Sequence, residues 1–185
     1  MEYLEDIFAL FEQWCGRKVE SSSALTQSGS NRRYYRLKSG DISVIACRGE
    51  KWQENRAFVE MNRLFHAQGH PVPEVYAQSE SGMIYLQQDL GDVSLFDKIM
   101  AGENVDELIR ATLNALAKLQ VRGAEGMDWD WCYPQKELDL RTIRWDLNYF
   151  KYAFLKPAGA IFDEDLLQDA FDMLEKDLIS VRGEY

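Results

Sequence analysis

Leu4, Ile7, Phe8, Phe11 and Trp14 recur at three- and four-residue intervals, the spacing that lines one side of a helix, and Gly16 follows as a stop. The chain therefore predicts an amphipathic opening helix. From Lys18 to Leu25 the character alternates instead, and Gln27-Ser28-Gly29-Ser30-Asn31 is turn chemistry. Arg33–Leu37 and Ile42–Cys47 are rich in strand formers, with Ser39-Gly40-Asp41 between them as a hairpin turn. Glu54–Ala67 returns to helical spacing through Phe58, Met61, Leu64 and Phe65. It ends near Gly69, and Pro71 and Pro73 prevent its continuation. Two short strands, Val75–Ala77 and Met83–Leu86, flank a turn at Glu80-Ser81-Gly82.

After Gly91 the texture changes. Leu95–Ile99, Val105–Leu119, Leu138–Leu155 and Asp163–Ile179 all read as helices, with Asn104 and Asp163 as caps. Strands followed by helices alone predict an α+β chain, with a boundary near Asp89–Asp92 that separates lobes 1–89 and 90–185. Internal repeats and low-complexity tracts are absent from the sequence.

Charge narrows the partners. A formal net charge of −10 disfavours a general nucleic-acid or anionic-membrane binder, since both attract basic surfaces. The basic residues are nonetheless crowded early. Arg17, Lys18, Arg32, Arg33, Arg36, Lys38, Arg48 and Lys51 face only Glu20, Asp41 and Glu50 in sequence, a patch suited to a small anion or simply a solvated strand face. Cys15, Cys47 and Cys132 are too far apart for a disulfide framework or a zinc site, so free thiols in a reducing compartment are expected. An acidic N-terminus and the lack of a long apolar run predict a soluble, cytoplasmic protein.

Three elements offer chemistry. The Ser28-Gly29-Ser30-Asn31 turn presents backbone N–H groups and small side chains to an approaching phosphate, and Arg32 or Arg33 supplies a bidentate donor. The other interpretation is a plain polar hairpin loop, and no Gly-Lys-Ser/Thr follows to make it a P-loop. Leu86-Gln87-Gln88-Asp89-Leu90-Gly91 runs from strand to turn where strands give way to helices. An extended backbone there pairs with the edge of a flat base, or serves only as a linker. Asp139 and Asp146 lie two turns apart on one predicted helix face beside Trp145, an arrangement that binds polyol hydroxyls or merely solvates a helix. Gly91-Asp92-Val93-Ser94-Leu95 is similar to an esterase block, but Val93 interrupts it. No Gly-x-Ser-x-Gly elbow is present, and His66 and His70 fit surface capping better than a triad.

The order of these pieces carries a resemblance. Ser30-Asn31-Arg32-Arg33-Tyr34-Tyr35-Arg36-Leu37, Pro71-Val72-Pro73-Glu74-Val75, Leu86–Gly91, Leu113–Gln120 and Asp146-Leu147-Asn148-Tyr149-Phe150 resemble, in sequence, the N-terminal part of the aminoglycoside phosphotransferase and choline kinase superfamily. The similarity is greatest to its bacterial N-acetylmuramate and N-acetylglucosamine kinases. The resemblance implies a protein-kinase-like fold, with a five-stranded antiparallel small lobe and the first helices of a large lobe. It implies ATP-dependent phosphorylation of a hydroxyl on an amino sugar or similar sugar. Ser28, Gly29, Ser30, Asn31, Arg32 and Arg33 would cover the ATP phosphates, Gln87, Gln88, Asp89 and Leu90 would hold adenine, and Asp139 and Asp146 would meet the acceptor.

Two departures qualify it. Members carry a strand lysine paired with a helix glutamate, whereas Ile42–Cys47 contains no lysine and Phe58 falls where the glutamate is expected; Arg32, Arg33, Arg48 and Lys51 are the candidate replacements. The sequence also reaches Tyr185 without a His-x-Asp…Asn loop or a metal-binding Asp, so no catalytic residue and no Mg²⁺ ligand is assigned here. The expectation is an inactive N-terminal portion that pairs with a second copy through residues 90–185, where Phe150, Phe154, Phe162 and Phe171 would otherwise be uncovered. A non-catalytic nucleotide-binding module and an interaction domain are the alternatives.

Overall fold

The computed structural model describes residues 2–26, 29 and 31–181. In chain order its elements are α1 (Glu2–Cys15), β1 (Ser21–Ala24), β2 (Arg33–Ser39), β3 (Ile42–Arg48), α2 (Trp52–Ala67), β4 (Val75–Gln78) and β5 (Ile84–Gln88). Helices follow: α3 (Leu95–Met100), α4 (Asp106–Arg122), α5 (Leu140–Tyr149) and α6 (Glu164–Ser180). The chain is thus α+β. Its five strands form one antiparallel sheet in the order β1-β2-β3-β5-β4, with α2 inserted between β3 and β4.

Period-two alternation sorts the strand residues onto two faces. Leu37, Val44, Ala46, Ile84 and Leu86 turn toward α1, whose Ile7, Leu10 and Phe11 complete one buried cluster. Trp14 extends this contact by stacking on Tyr76 at 4.9 Å. The opposite face carries Tyr34, Cys47 and Tyr85, on which α2 packs through Val59 and Phe58. The helical spacing of both α1 and α2 is therefore explained by burial against opposite sides of one sheet.

Asn55 fastens α2 to the β4–β5 hairpin. Fully buried, it donates through Nδ2 to the carbonyls of Gly82 and Met83, at 3.0 and 2.9 Å. A Cβ on Gly49 would come 2.3 Å from its Oδ1, and the pinned amide cannot retreat. Gly49→Ala is expected to cost about 1–3 kcal/mol, measured by urea unfolding. A loss below ~0.5 kcal/mol would show that the Asn55 clamp yields.

The chain divides into two compact units, 1–134 and 135–185. Strands end at Gln88, near the expected lobe boundary, but α3 and α4 belong to the first unit with the sheet. Neither α3 nor α4 buries any residue, and Leu113, Leu116 and Val121 on α4 stand exposed. In the second unit, Ile143 of α5 and Phe171 of α6 are buried, and Arg144 Nε donates to both carboxylate oxygens of Glu175 at 3.0 and 3.1 Å.

Several expectations are corrected. Asp139 starts α5 at Leu140, and the segment predicted as one helix to Leu155 becomes π-helical at Phe150–Leu155, where Phe150 and Phe154 stack. Phe171 is buried rather than uncovered, while Phe150 and Phe154 are exposed. His66 is exposed in the last turn of α2, but His70 is buried, edge-on to Phe65. The left-handed turn at Gly69, with φ of 78°, carries His70 back over that ring. The three cysteines are free. No helix among the described residues is long and apolar enough to cross a membrane.

Candidate functional site

The sheet face that α2 partly covers bears an arginine cluster at each end. At the first, Arg32 immediately precedes β2. Its Nη2 donates to the Glu54 carbonyl at 3.0 Å and pairs with Glu54 Oε1 at 3.2 Å. The guanidinium carbon lies 5.5 Å from the centroid of Phe58, a cation–π contact, and Phe58 stacks on Tyr85 at 4.9 Å. Tyr34, Cys47 and Tyr85 form one cross-strand row beneath. Burial pushes the Cys47 thiol and both tyrosine hydroxyls up, so all three are neutral at pH 7. The charges of this cluster are those of Arg32 and Glu54.

The second end is the exit of β5. Arg36 donates from Nε to Asp89 Oδ2 at 2.7 Å and from Nη2 to Asp89 Oδ1 at 3.0 Å, a bidentate pair. Its Nη1 reaches Asp92 at 2.6 Å, while Ser43 Oγ and the Gly91 N–H also donate to Asp89, at 2.6 and 3.0 Å. Burial opposes ionisation of Asp89, but Arg36, Ser43 and Gly91 outweigh it and hold the carboxyl down to about 2. Gly91 is needed here because its φ of 88° is left-handed. The connector is thus clamped to β2 and β3, with its backbone set in one path.

Register gives the distance between the two ends. Gln88 pairs with Val44 and Ile84 with Arg48, four residues apart along β3, which is about 13 Å. Ile45, buried outside both core clusters, and Gln87 pair across this interval.

The sequence-predicted residues distribute as follows. Ser28 and Ser30 lie outside the described residues. Gly29 is left-handed, with φ of 55°, and Gly29 and Asn31 are exposed. Arg33 opens β2 two residues before Tyr35, which packs toward α1, so Arg33 and Arg32 serve opposite faces. Gln87 shares the Arg32 face. The Gln88 N–H bonds Glu74 O at 2.8 Å, Asp89 is committed to Arg36, and Leu90 is exposed. Asp139 and Asp146 belong to the second unit. Asp139 caps α5 by accepting from Thr142 N and Oγ1, both at 2.8 Å, and Asp146 is exposed.

Two members of the candidate site escaped the sequence. Glu54 was placed in a helix without a role, because its pairing with Arg32 spans 22 residues of chain. Arg36 stood in a motif without its acidic partners. Ser94 is resolved as a helix cap: it and Asp97 form a reciprocal capping box at α3, a signal present in Ser-x-x-Asp. A separate cavity of about 620 Å³ lies in the first unit between α3, α4 and the His70–Val72 turn, and its lining is mainly apolar. Among the described residues, no group of three or more His, Cys, Asp or Glu is placed to hold a metal ion.

The sequence matches no protein-family model, and no curated protein matches it. The functional interpretation therefore stands on the residues and their geometry.

Proposed function

We propose that this chain is the nucleotide-holding part of an ATP-dependent small-molecule phosphotransferase of protein-kinase-like type, acting on a hydroxyl of an amino sugar or similar sugar. The observation that carries this is the two-ended sheet face. An extended backbone connector lies at one end and Arg32, three residues after the left-handed Gly29, at the other, about 13 Å apart along the strands. An extended nucleoside triphosphate has that form: a flat base whose edge pairs with backbone N–H and C=O groups, then a chain of phosphates. Clamping by Arg36 preorganises the connector for such pairing.

No residue of the chain is assigned to Mg²⁺, and no step is routed through it here. Nor is any residue assigned to take the hydroxyl proton. We therefore expect these 185 residues by themselves not to phosphorylate an amino sugar. Metal-dependent product above a mock preparation would contradict that expectation.

The apolar cavity beside α4 favours a second interpretation, an interaction domain without a nucleotide. Hydrogen exchange with and without ATP separates the two. The nucleotide reading expects new protection at residues 31–36 and 86–91. Unchanged exchange there, in folded protein at millimolar ATP, would reject it.

A further inference from the structure

We infer that the cavity beside α4 is a binding site for a small neutral molecule, mostly hydrocarbon, whose hydroxyl pairs with His70. None of the lining residues is a strand residue, so this site is separate from the sheet face described above. About 620 Å³ lies between α3, α4 and the His70–Val72 turn, within the usual range of small-molecule pockets. The walls are mainly apolar, with Val72, Leu95, Leu108, Leu116 and Leu119 among them. They are also held in place. The Ser94–Asp97 capping box fixes the start of α3, and Gln68 Nε2, just past α2, donates to the Glu125 carbonyl beyond α4 at 2.7 Å.

The polar side chains of the lining select the polar group of the ligand. Ser94 Oγ donates to Asp97 Oδ2 at 2.6 Å and accepts from the Asp97 N–H at 3.1 Å. Thr112 Oγ1 donates to the Leu108 carbonyl at 2.8 Å. Lys98, the one Lys, Arg, Asp or Glu of the lining, is paired with Glu103 at 2.7 Å, so a charged ligand meets no free counter-ion among apolar walls. His70 differs. At 9% exposed it is the one buried residue of the lining, which places it at the floor. Its Nε2 is buried without a hydrogen-bond partner among the described residues, a state that costs free energy until something bonds the nitrogen. The ring meets Phe65 edge-on, with centroids 6.1 Å apart, and no hydrogen bond at Nε2 fixes its rotation. A turn about χ2 therefore offers this nitrogen to the cavity. A hydroxyl both donates and accepts, so it satisfies Nε2 whether or not that nitrogen carries the proton.

The test is titration of the full chain at neutral pH with 2-naphthol, naphthalene and 2-naphthoate, followed by backbone amide NMR. 2-Naphthol is expected to shift amides at 70–72, 93–98 and 108–119. It should bind about 3- to 10-fold more tightly than naphthalene, the size of one net hydrogen bond, and more tightly than the charged 2-naphthoate. His70→Phe keeps a ring against Phe65; it should hold naphthalene within about twofold and abolish the preference for the hydroxyl. Ala111→Trp, at an exposed position of α4, fills the cavity and should abolish binding of 2-naphthol and naphthalene alike. Thermal melts confirm that each variant is folded. Naphthalene or 2-naphthoate bound as tightly as 2-naphthol, a hydroxyl preference that survives in His70→Phe, or shifts outside these segments would overturn the proposal. So would a dimer in light scattering whose dilution shifts the same amides, because the groove would then hold a second copy of the chain.

Discussion

Replacing Phe11 with alanine is expected to remove about 3–5 kcal/mol of stability. Phe11 is fully buried between α1 and the sheet, within the cluster that holds Leu37, Val44, Ala46 and Leu86. It also meets Trp14 edge-on at 5.9 Å, and Trp14 in turn stacks on Tyr76 of β4. Removing the ring leaves a cavity that the strands cannot close without losing register. A domain of this size has roughly 5–15 kcal/mol in total, so the variant should stand near its unfolding threshold. Urea titration followed by tryptophan fluorescence measures the loss. A change below ~1 kcal/mol would mean that α1 contributes little to the fold.

The second large effect concerns the clamp on the connector. Both Arg36 and Asp89 keep side-chain exposures near a tenth, 12% and 10%, so removing either leaves the other charge poorly solvated. Arg36→Ala is expected to lower the melting temperature on the order of 5–10 °C. Acid exposes the same pair. The Asp89 carboxyl is held down to about 2 in the folded protein, against about 4 in an unfolded chain. Its contribution is therefore present above pH ~4 and is lost as the pH falls from there toward ~2. Asp89→Asn should be less stable at neutral pH and should lack that component of the acid decline. An identical acid profile in the variant would show that Asp89 does not supply it.

Much of the sheet was legible because its two periodicities are unmixed. Tyr34–Leu37, Ile42–Cys47 and Ile84–Leu86 alternate between faces that α1 and α2 bury separately, so local pattern and tertiary packing agree. The glycine turns were legible for a similar reason: Gly16, Gly40 and Gly82 all adopt positive φ, which other residues resist. Contacts distant in sequence were not. Arg36 and Asp89 lie 53 positions apart, and Arg32 and Glu54 lie 22 apart, separations that no local spacing encodes. His70 was read as exposed because it follows a helix end, whereas Gly69 turns the chain inward. The π-helical turn at Phe150–Leu155 was missed because its apolar residues fit an ordinary helical stripe. For the candidate site, the loop and the connector were readable as motifs. Which of two adjacent arginines serves the face depended on strand register.

That register supports the central claim, that one sheet face accepts an extended adenine nucleotide. Calorimetric titration of the 185-residue chain with ATP tests it most directly, with adenosine and tripolyphosphate titrated separately. The account expects one site per chain, with ATP bound more tightly than either part, since base and phosphates engage opposite ends of the face. Well-folded protein that gives no heat with millimolar ATP, or binds tripolyphosphate as tightly as ATP, would contradict it.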